Sequence, residues 1–190
     1  MTLDLGKLPP AEYQGVRIHV HRVRVPALGQ GGGETTVERD MVVHPGAVVI
    51  LPILPGPRVV MIRNPRYAVG GELWELPAGT LGHADPAHPT EDPAACAARE
   101  LIEETGYRAG RMTQLIGFYS APGFCNEYLT AFLAQDLEFV GQAPDEGEAI
   151  TAHPVDWTQA IAWARSGELR DAKTLATLLW AQCFLAQDWA

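Results

Sequence analysis

The sequence predicts a mixed α/β fold, and three observations carry that expectation. Two continuous apolar runs, Ala47-Val48-Val49-Ile50-Leu51 and Val59-Val60-Met61-Ile62, have the texture of strands buried on both faces. Residues 16–25 alternate instead, with Val16, Ile18, Val20, Val23 and Val25 apolar and Arg17, His19, His21, Arg22 and Arg24 between them. That is the mark of a strand with one wet face. Finally, Asp92-Pro93 opens a helical stretch and Gly106 closes it. Asp is a favoured N-cap, Pro loses nothing at the first helical position, and Gly suits the position past the end.

Taken in order, the elements divide the chain in two. The alternation of residues 16–25 slips near His21-Arg22, which predicts a bulge. Pro26 to Gly33 is a turn-rich connection, and residues 34–43 read as the return strand. Residues 1–44 therefore form a small antiparallel sheet, too small to stand alone. It needs the rest of the chain or a second subunit to pack on. Residues 45–190 hold the main domain. After the two buried strands come a third at 73–76, a loop rich in Pro, His and Asp up to Glu91, and the helix to Thr105. Strands follow at 115–119 and 128–134, an acidic loop at 137–147, and a last strand at 150–155. Two helices close the chain, one from Asp156 to Ser166-Gly167, the other from Asp171 with Leu175, Leu178, Leu179 and Phe184 at helical spacing.

Bulk properties narrow the function. The 190 residues, 47% hydrophobic and 19% charged, suffice for one well-cored domain with an appendage. A net charge of -9 argues against nucleic acid, which needs many phosphate-neutralising Lys and Arg. No apolar stretch is long enough to span a bilayer, so no membrane association is expected. The three cysteines, Cys96, Cys125 and Cys183, are odd in number and widely spaced, which fits neither a disulfide frame nor a zinc site. The opening residues lack a basic start and an apolar core, so no signal peptide is expected and a cytoplasmic location is.

The helix carries the chemistry. Glu100 and Glu104 are four apart and share a face, which Glu103 borders. Carboxylates this close repel unless a cation lies among them, and oxygen donors suit a hard ion such as Mg²⁺. The plain alternative is a solvated acidic face with Arg99 paired to Glu103.

Spacing decides between them. Glu91, seven residues, then Arg99-Glu100-Leu101-Ile102-Glu103-Glu104-Thr105-Gly106-Tyr107 resembles the Nudix hydrolase signature. The signature's leading Gly should fall at Asp85. Gly79 is its counterpart, displaced by a six-residue expansion within 82–90. The segment Gly71-Glu72-Leu73-Trp74-Glu75-Leu76-Pro77-Ala78-Gly79 and Pro122, sixteen residues past Gly106, resemble the ADP-ribose pyrophosphatase branch of that family, and so does Arg170-Asp171-Ala172-Lys173-Thr174.

This resemblance implies an α/β/α sandwich with the small N-terminal sheet reaching a partner in a homodimer. It implies Mg²⁺- or Mn²⁺-dependent hydrolysis of ADP-ribose to AMP and ribose 5-phosphate. The Nudix box would comprise Gly79, Glu91, Arg99, Glu100, Glu103, Glu104 and Gly106. Glu100, Glu104, Glu148 and the carbonyl of Ala78 would hold metal, Glu103 could share a second ion, and Glu146 would activate water. Arg66, Pro122 and Gly123 would meet substrate, while Glu91 and Arg99 orient the helix. Trp74 could stack on a base, although core packing suits it better. His83 and His88 are expected in solvent. Another nucleoside diphosphate sugar or FAD would use the same chemistry. A non-catalytic ADP-ribose-binding regulator would have no need of both Glu100 and Glu104.

Overall fold

The structure, a computed structural model, describes residues 4–15, 18–27, 36–143 and 149–185. In chain order, strands β1 (Tyr13–Gln14), β2 (His19–Pro26) and β3 (Thr36–Val43) make the N-terminal antiparallel sheet. Strands β4 (Ala47–Leu54), β5 (Arg58–Arg66), β6 (Gly71–Glu75) and β7 (Ala78–Thr80) begin the main sheet. A short hairpin, β8 (His83–Asp85) and β9 (His88–Pro89), precedes helix α1 (Pro93–Thr105). Strands β10 (Tyr107–Tyr119), β11 (Tyr128–Phe139) and β12 (Thr151–Asp156) complete the sheet. Helices α2 (Trp157–Ser166) and α3 (Ala172–Phe184) end the described chain.

The main sheet runs β10-β11-β4-β5-β12, with β6 beside β5 and β7 beside β4. β11 and β4 are parallel, whereas β4 and β5 pair only at Ile53–Leu54 with Val59–Arg58. Beyond that point the two strands diverge, and β7 takes the place on β4 at Ala47–Val49. The sheet therefore opens where Ala78 and Gly79 lie.

Side chains of β4 alternate between the two cores. Val48 and Ile50 pack with Cys96, Ala97 and Leu101 of α1. Val49 and Leu51 pack with Trp157 and Ala160 of α2 and with Leu178 and Ala181 of α3. This period-2 division builds the α/β/α sandwich.

Several expectations need correction. β2 pairs with β3 without a break from His19–Val43 to Pro26–Thr36, so there is no bulge at His21. The alternation holds because His21 itself points inward. It is 8% exposed, and its Nδ1 lies 2.9 Å from the Pro9 carbonyl. β10 starts at Tyr107 rather than at residue 115, and β11 continues to Phe139, into the stretch expected as loop. The expanded segment 82–90 forms the β8–β9 hairpin. On α3 the buried stripe is Thr174, Thr177, Leu178 and Ala181, while Leu179 and Phe184 face outward.

Candidate active site

Local sequence fixes α1. Asp92 accepts from the N–H groups of Ala94 (3.0 Å) and Ala95 (3.1 Å), and Gly106 stops the helix at φ +77°. A side chain at Gly106 would also meet Gln142 N and the Phe139 ring at 2.8 Å, so space and backbone both require glycine. Leu101, Cys96 and Ala97 turn to the sheet, which leaves Glu100, Glu103 and Glu104 along the edge facing its open seam.

The carboxylates gather around one guanidinium. Arg99 donates from Nε and Nη2 to the two oxygens of Glu91, both at 3.1 Å. Its Nη1 donates to Glu100 Oε1 and Glu103 Oε2, both at 2.8 Å. The hydrogen bond to Glu91, with the other carboxylates, raises the Arg99 pKa further above its already high ordinary value. The same bond holds Glu91 below its ordinary range. Glu91 also accepts from the Gly82 N–H at 2.7 Å, which ties the base of the β8–β9 hairpin to the helix.

Glu104 is 4% exposed and accepts from the Ala78 N–H at 2.8 Å. Glu100 lies across Gly79 so closely that a Cβ there would sit 1.9 Å from its carboxyl carbon. Gly79 is thus a cradle for Glu100. Cys96 is no rival nucleophile, since burial and the nearby Glu91 and Glu100 push its thiol up to about 12.

A second network stands across the opening. Glu75, fully buried, receives Arg66 at 2.7 Å through both Nε and Nη2 and Lys173 Nζ at 2.5 Å. Lys173 also reaches Asp171 at 3.0 Å, and Asp171 caps α3 through the Thr174 N–H. Burial alone would raise the Glu75 pKa, but the hydrogen bonds from Arg66 and Lys173 outweigh it and lower the value.

Both networks line one cavity of about 740 Å³, with Glu100, Glu104, Gly79 and Ala78 on one side and Arg66, Asp171 and Lys173 on another. It lies within the usual range for a small-molecule site. A domain model described as the NUDIX domain matches residues 43–178. The chain belongs to the Nudix hydrolases. Within them it falls in the ADP-ribose pyrophosphatase branch. It is 34% identical over 147 residues to the ADP-ribose pyrophosphatase of Bacillus subtilis, which covers 76% of each chain. It is also 34% identical over 144 residues to the GDP-mannose pyrophosphatase of Citrobacter koseri, covering 70% of this chain and 71% of that one. A crystal structure of an ADP compounds hydrolase superposes with a TM-score of 0.78 at 19% identity, over 95% of this chain and 94% of the other. That likeness bears on the fold alone.

A hydrolase of this family generally uses a divalent metal, and the donors present suit one. Three carboxylates, Glu91, Glu100 and Glu103, share one guanidinium, Glu104 stands beside them on the Ala78 N–H, and oxygen is the donor a hard cation selects. Among the described residues no three His, Cys, Asp or Glu side chains form a finished cage. Instead, Glu100 and Glu103 are turned onto Arg99.

The remaining expectations divide. Pro122 and Gly123 sit in an exposed turn off the cavity wall, and a side chain at Gly123 would meet nothing within 4 Å. Glu146 and Glu148 lie outside the described residues. Their flanks are anchored at the end of α1: Ala143 N donates to Glu103 O (3.2 Å), and Gln142 Nε2 donates to Glu104 O (2.7 Å) and Ile150 O (3.1 Å). Trp74 is taken up by packing, stacked on Trp163 at 4.8 Å. His88 is exposed, and the His83 side chain is outside what is described. Sequence reading missed Glu75 and Gln142 as individual residues. Each is one polar residue whose partners are distant in the chain, so spacing gave no signal.

Proposed function

We propose that this Nudix hydrolase splits the diphosphate of ADP-ribose into AMP and ribose 5-phosphate, using Mg²⁺ or Mn²⁺. The observation that carries it is the cavity's two-sided charge. Glu100 and Glu104 stand beside the Gly79 cradle on one side, and Arg66 and Lys173 stand on another. A diphosphate needs cationic help on both flanks, and on the carboxylate flank the guanidinium of Arg99 is already taken up by Glu91, Glu100 and Glu103.

Mg²⁺ held by Glu100, Glu104, Glu148 and the Ala78 carbonyl would neutralise charge on the diphosphate, with Glu103 contributing to a second ion. Glu146 takes the proton of the attacking water. Arg66, already oriented by Glu75, pairs with a phosphate oxygen. Pro122 and Gly123 lie off this cavity in the single chain and form no part of the contact set. Gly79, Glu91, Arg99 and Gly106 hold the frame. Residues 1–44 form the contact of a homodimer, and residues 45–190 the hydrolase domain.

The test is AMP release from ADP-ribose by Glu104→Gln. The variant keeps its fold and loses at least about a thousandfold in kcat, the scale of losing a preorganised charge contact. Normal turnover would refute the metal assignment. A panel of ADP-ribose, ADP-glucose, GDP-mannose and FAD with Mg²⁺ then ranks substrates by kcat/KM. GDP-mannose is the competing reading that the similarity to GDP-mannose pyrophosphatase favours. Tight binding with negligible turnover across the panel would point to a regulator instead.

A further inference from the structure

Away from the carboxylate cluster, a smaller cavity of about 260 Å³ lies where residues 5–14, β2 and the β8–β9 hairpin meet. Its polar lining is of another kind. Three imidazoles and one carboxylate face it, from His19, His21, Asp85 and His88. The proposed hydrolysis uses none of them.

The donors arrive in two pairs. His19 and His21 are two apart on β2, so they share one face of that strand. The face continues as Val23 and Val25, and an imidazole on an apolar face needs a partner for its polar atoms. Asp85 and His88 pair across the turn of the β8–β9 hairpin. The expansion within 82–90, which the Nudix signature does not account for, therefore supplies the second pair.

Within the cavity the donor atoms face one another. His88 Nδ1 lies 3.3 Å from Asp85 Oδ2, and His19 Nδ1 lies 3.9 Å from Asp85 Oδ1. The Ala87 N–H donates to Asp85 Oδ1 at 2.9 Å and holds the carboxyl below its ordinary range. His21 Nδ1 lies 2.9 Å from the Pro9 carbonyl. A carbonyl only accepts, so Nδ1 of the neutral ring carries the proton and Nε2 the lone pair. An imidazole with one nitrogen donating to a carbonyl is oriented as metal-ligating histidines are.

The spacings suit a small tetrahedral ion. Two ligand atoms on such an ion, each about 2.0–2.1 Å from it, stand about 3.4 Å apart. The His88–Asp85 contact is at that spacing, and the His19–Asp85 contact is about 0.5 Å wider. The His19 and His21 ring centroids are 6.1 Å apart, against about 5 Å for two imidazoles on one ion. Among the described residues no three donors are already closed on a point, and side-chain shifts of about 1 Å close them. Imidazole nitrogen with one carboxylate selects Zn²⁺, whereas Mg²⁺ selects oxygen alone.

We propose that His19, His21, Asp85 and His88 form a Zn²⁺ site, separate from the α1 carboxylates, that clips the β8–β9 hairpin to the N-terminal sheet. The base of the same hairpin holds Glu91 through the Gly82 N–H, so the clip joins the sheet to the lead-in of α1.

The test is Zn²⁺ binding by the full chain in competition with a chromophoric chelator, with excess Mg²⁺ present to occupy the α1 carboxylates. Wild type takes one equivalent of Zn²⁺, and Co²⁺ in its place gives the strong visible absorption of tetrahedral coordination. His88→Gln and His19→Gln each weaken Zn²⁺ at least about tenfold and bleach the Co²⁺ band, since loss of even an outer partner of a ligand costs that much. Glu104→Gln changes neither. The His88 side chain is 69% exposed, so His88→Gln melts at the wild-type temperature without metal, and only wild type gains from Zn²⁺. If His19→Gln unfolds, His88→Gln decides alone. No Zn²⁺ uptake by wild type, no tetrahedral Co²⁺ band, a Zn²⁺ affinity within twofold of wild type in His88→Gln, or Zn²⁺ binding lost instead in Glu104→Gln each overturns the site.

Discussion

Glu75 is a carboxylate with almost no access to water, held by a guanidinium through two hydrogen bonds and by an ammonium through a third. Its folded pKa is lowered, so it contributes stability that is present above the ordinary carboxylate range and lost as pH falls through the folded value. Glu75→Gln is therefore expected to lower stability at neutral and high pH and to converge with wild type in acid, which flattens the acid limb of the stability–pH curve. Glu75→Ala leaves Arg66 and Lys173 without their buried partner and costs about 3–5 kcal/mol. Urea titrations between pH 3 and pH 8 check both, and parallel wild-type and Glu75→Gln curves would contradict the linkage. Residues of this kind are hard to read from sequence. Glu75 and Lys173 are 98 positions apart, and only the fold brings them together. By contrast, Glu91, Arg99, Glu100, Glu103 and Glu104 were legible because one helix and its lead-in set their spacing, and the arrangement around Arg99 follows from that spacing.

At the scale of elements, local signals were readable where the physics is local. Asp92, Pro93 and Gly106 delimit α1 because capping depends only on adjacent backbone groups. Capping also bears on the site, since α1 carries its carboxylates. Asp92→Ala removes the acceptor for two N–H groups and should cost about 1 kcal/mol. That lowers Tm by about 2–4 °C in a protein of this size. Scanning calorimetry tests it, and an unchanged Tm would mean that water replaces the cap at no cost. The first half of β10 was not legible, because its polar residues do not alternate with apolar ones. Its strand character comes from pairing with β11, supported by Arg108–Glu138 and Arg111–Asp136 across the ladder. The inner stripe of α3 escaped in part for a similar reason. Two threonines lie in it, one of them, Thr174, bonded to the Leu76 N–H and to Asp171, so hydrophobic spacing caught Leu175 and Leu178 but drew in the outward Leu179 and Phe184.

At the scale of the molecule, the N-terminal sheet is where sequence and structure leave the same physical question. Its two long strands present unlike faces. One carries Arg22 against Asp40 and Arg24 against Glu38, exposed ion pairs worth little to stability. The other carries His21, Val23 and Val25 on β2 and Val43, Met41, the exposed Arg39 and Val37 on β3. Near the main body this second face is covered: Val43 is fully buried, and Val42 N donates to Phe124 O at 2.7 Å. Toward the far end the cover thins, and the facing pair Val25 and Val37 is only half-buried. A three-stranded sheet gains its stability from covering its apolar face, so completing that cover across a two-fold axis gives this end a packing partner. The chain is accordingly expected to sediment at twice the mass of one chain at micromolar concentration. Substituting both Val25 and Val37 with Lys places two like charges opposite each other on that face and should shift the species to the mass of a single chain. A wild-type monomer across that concentration range would refute the homodimer. Retention of the dimer in the double variant would place its contact elsewhere on the chain.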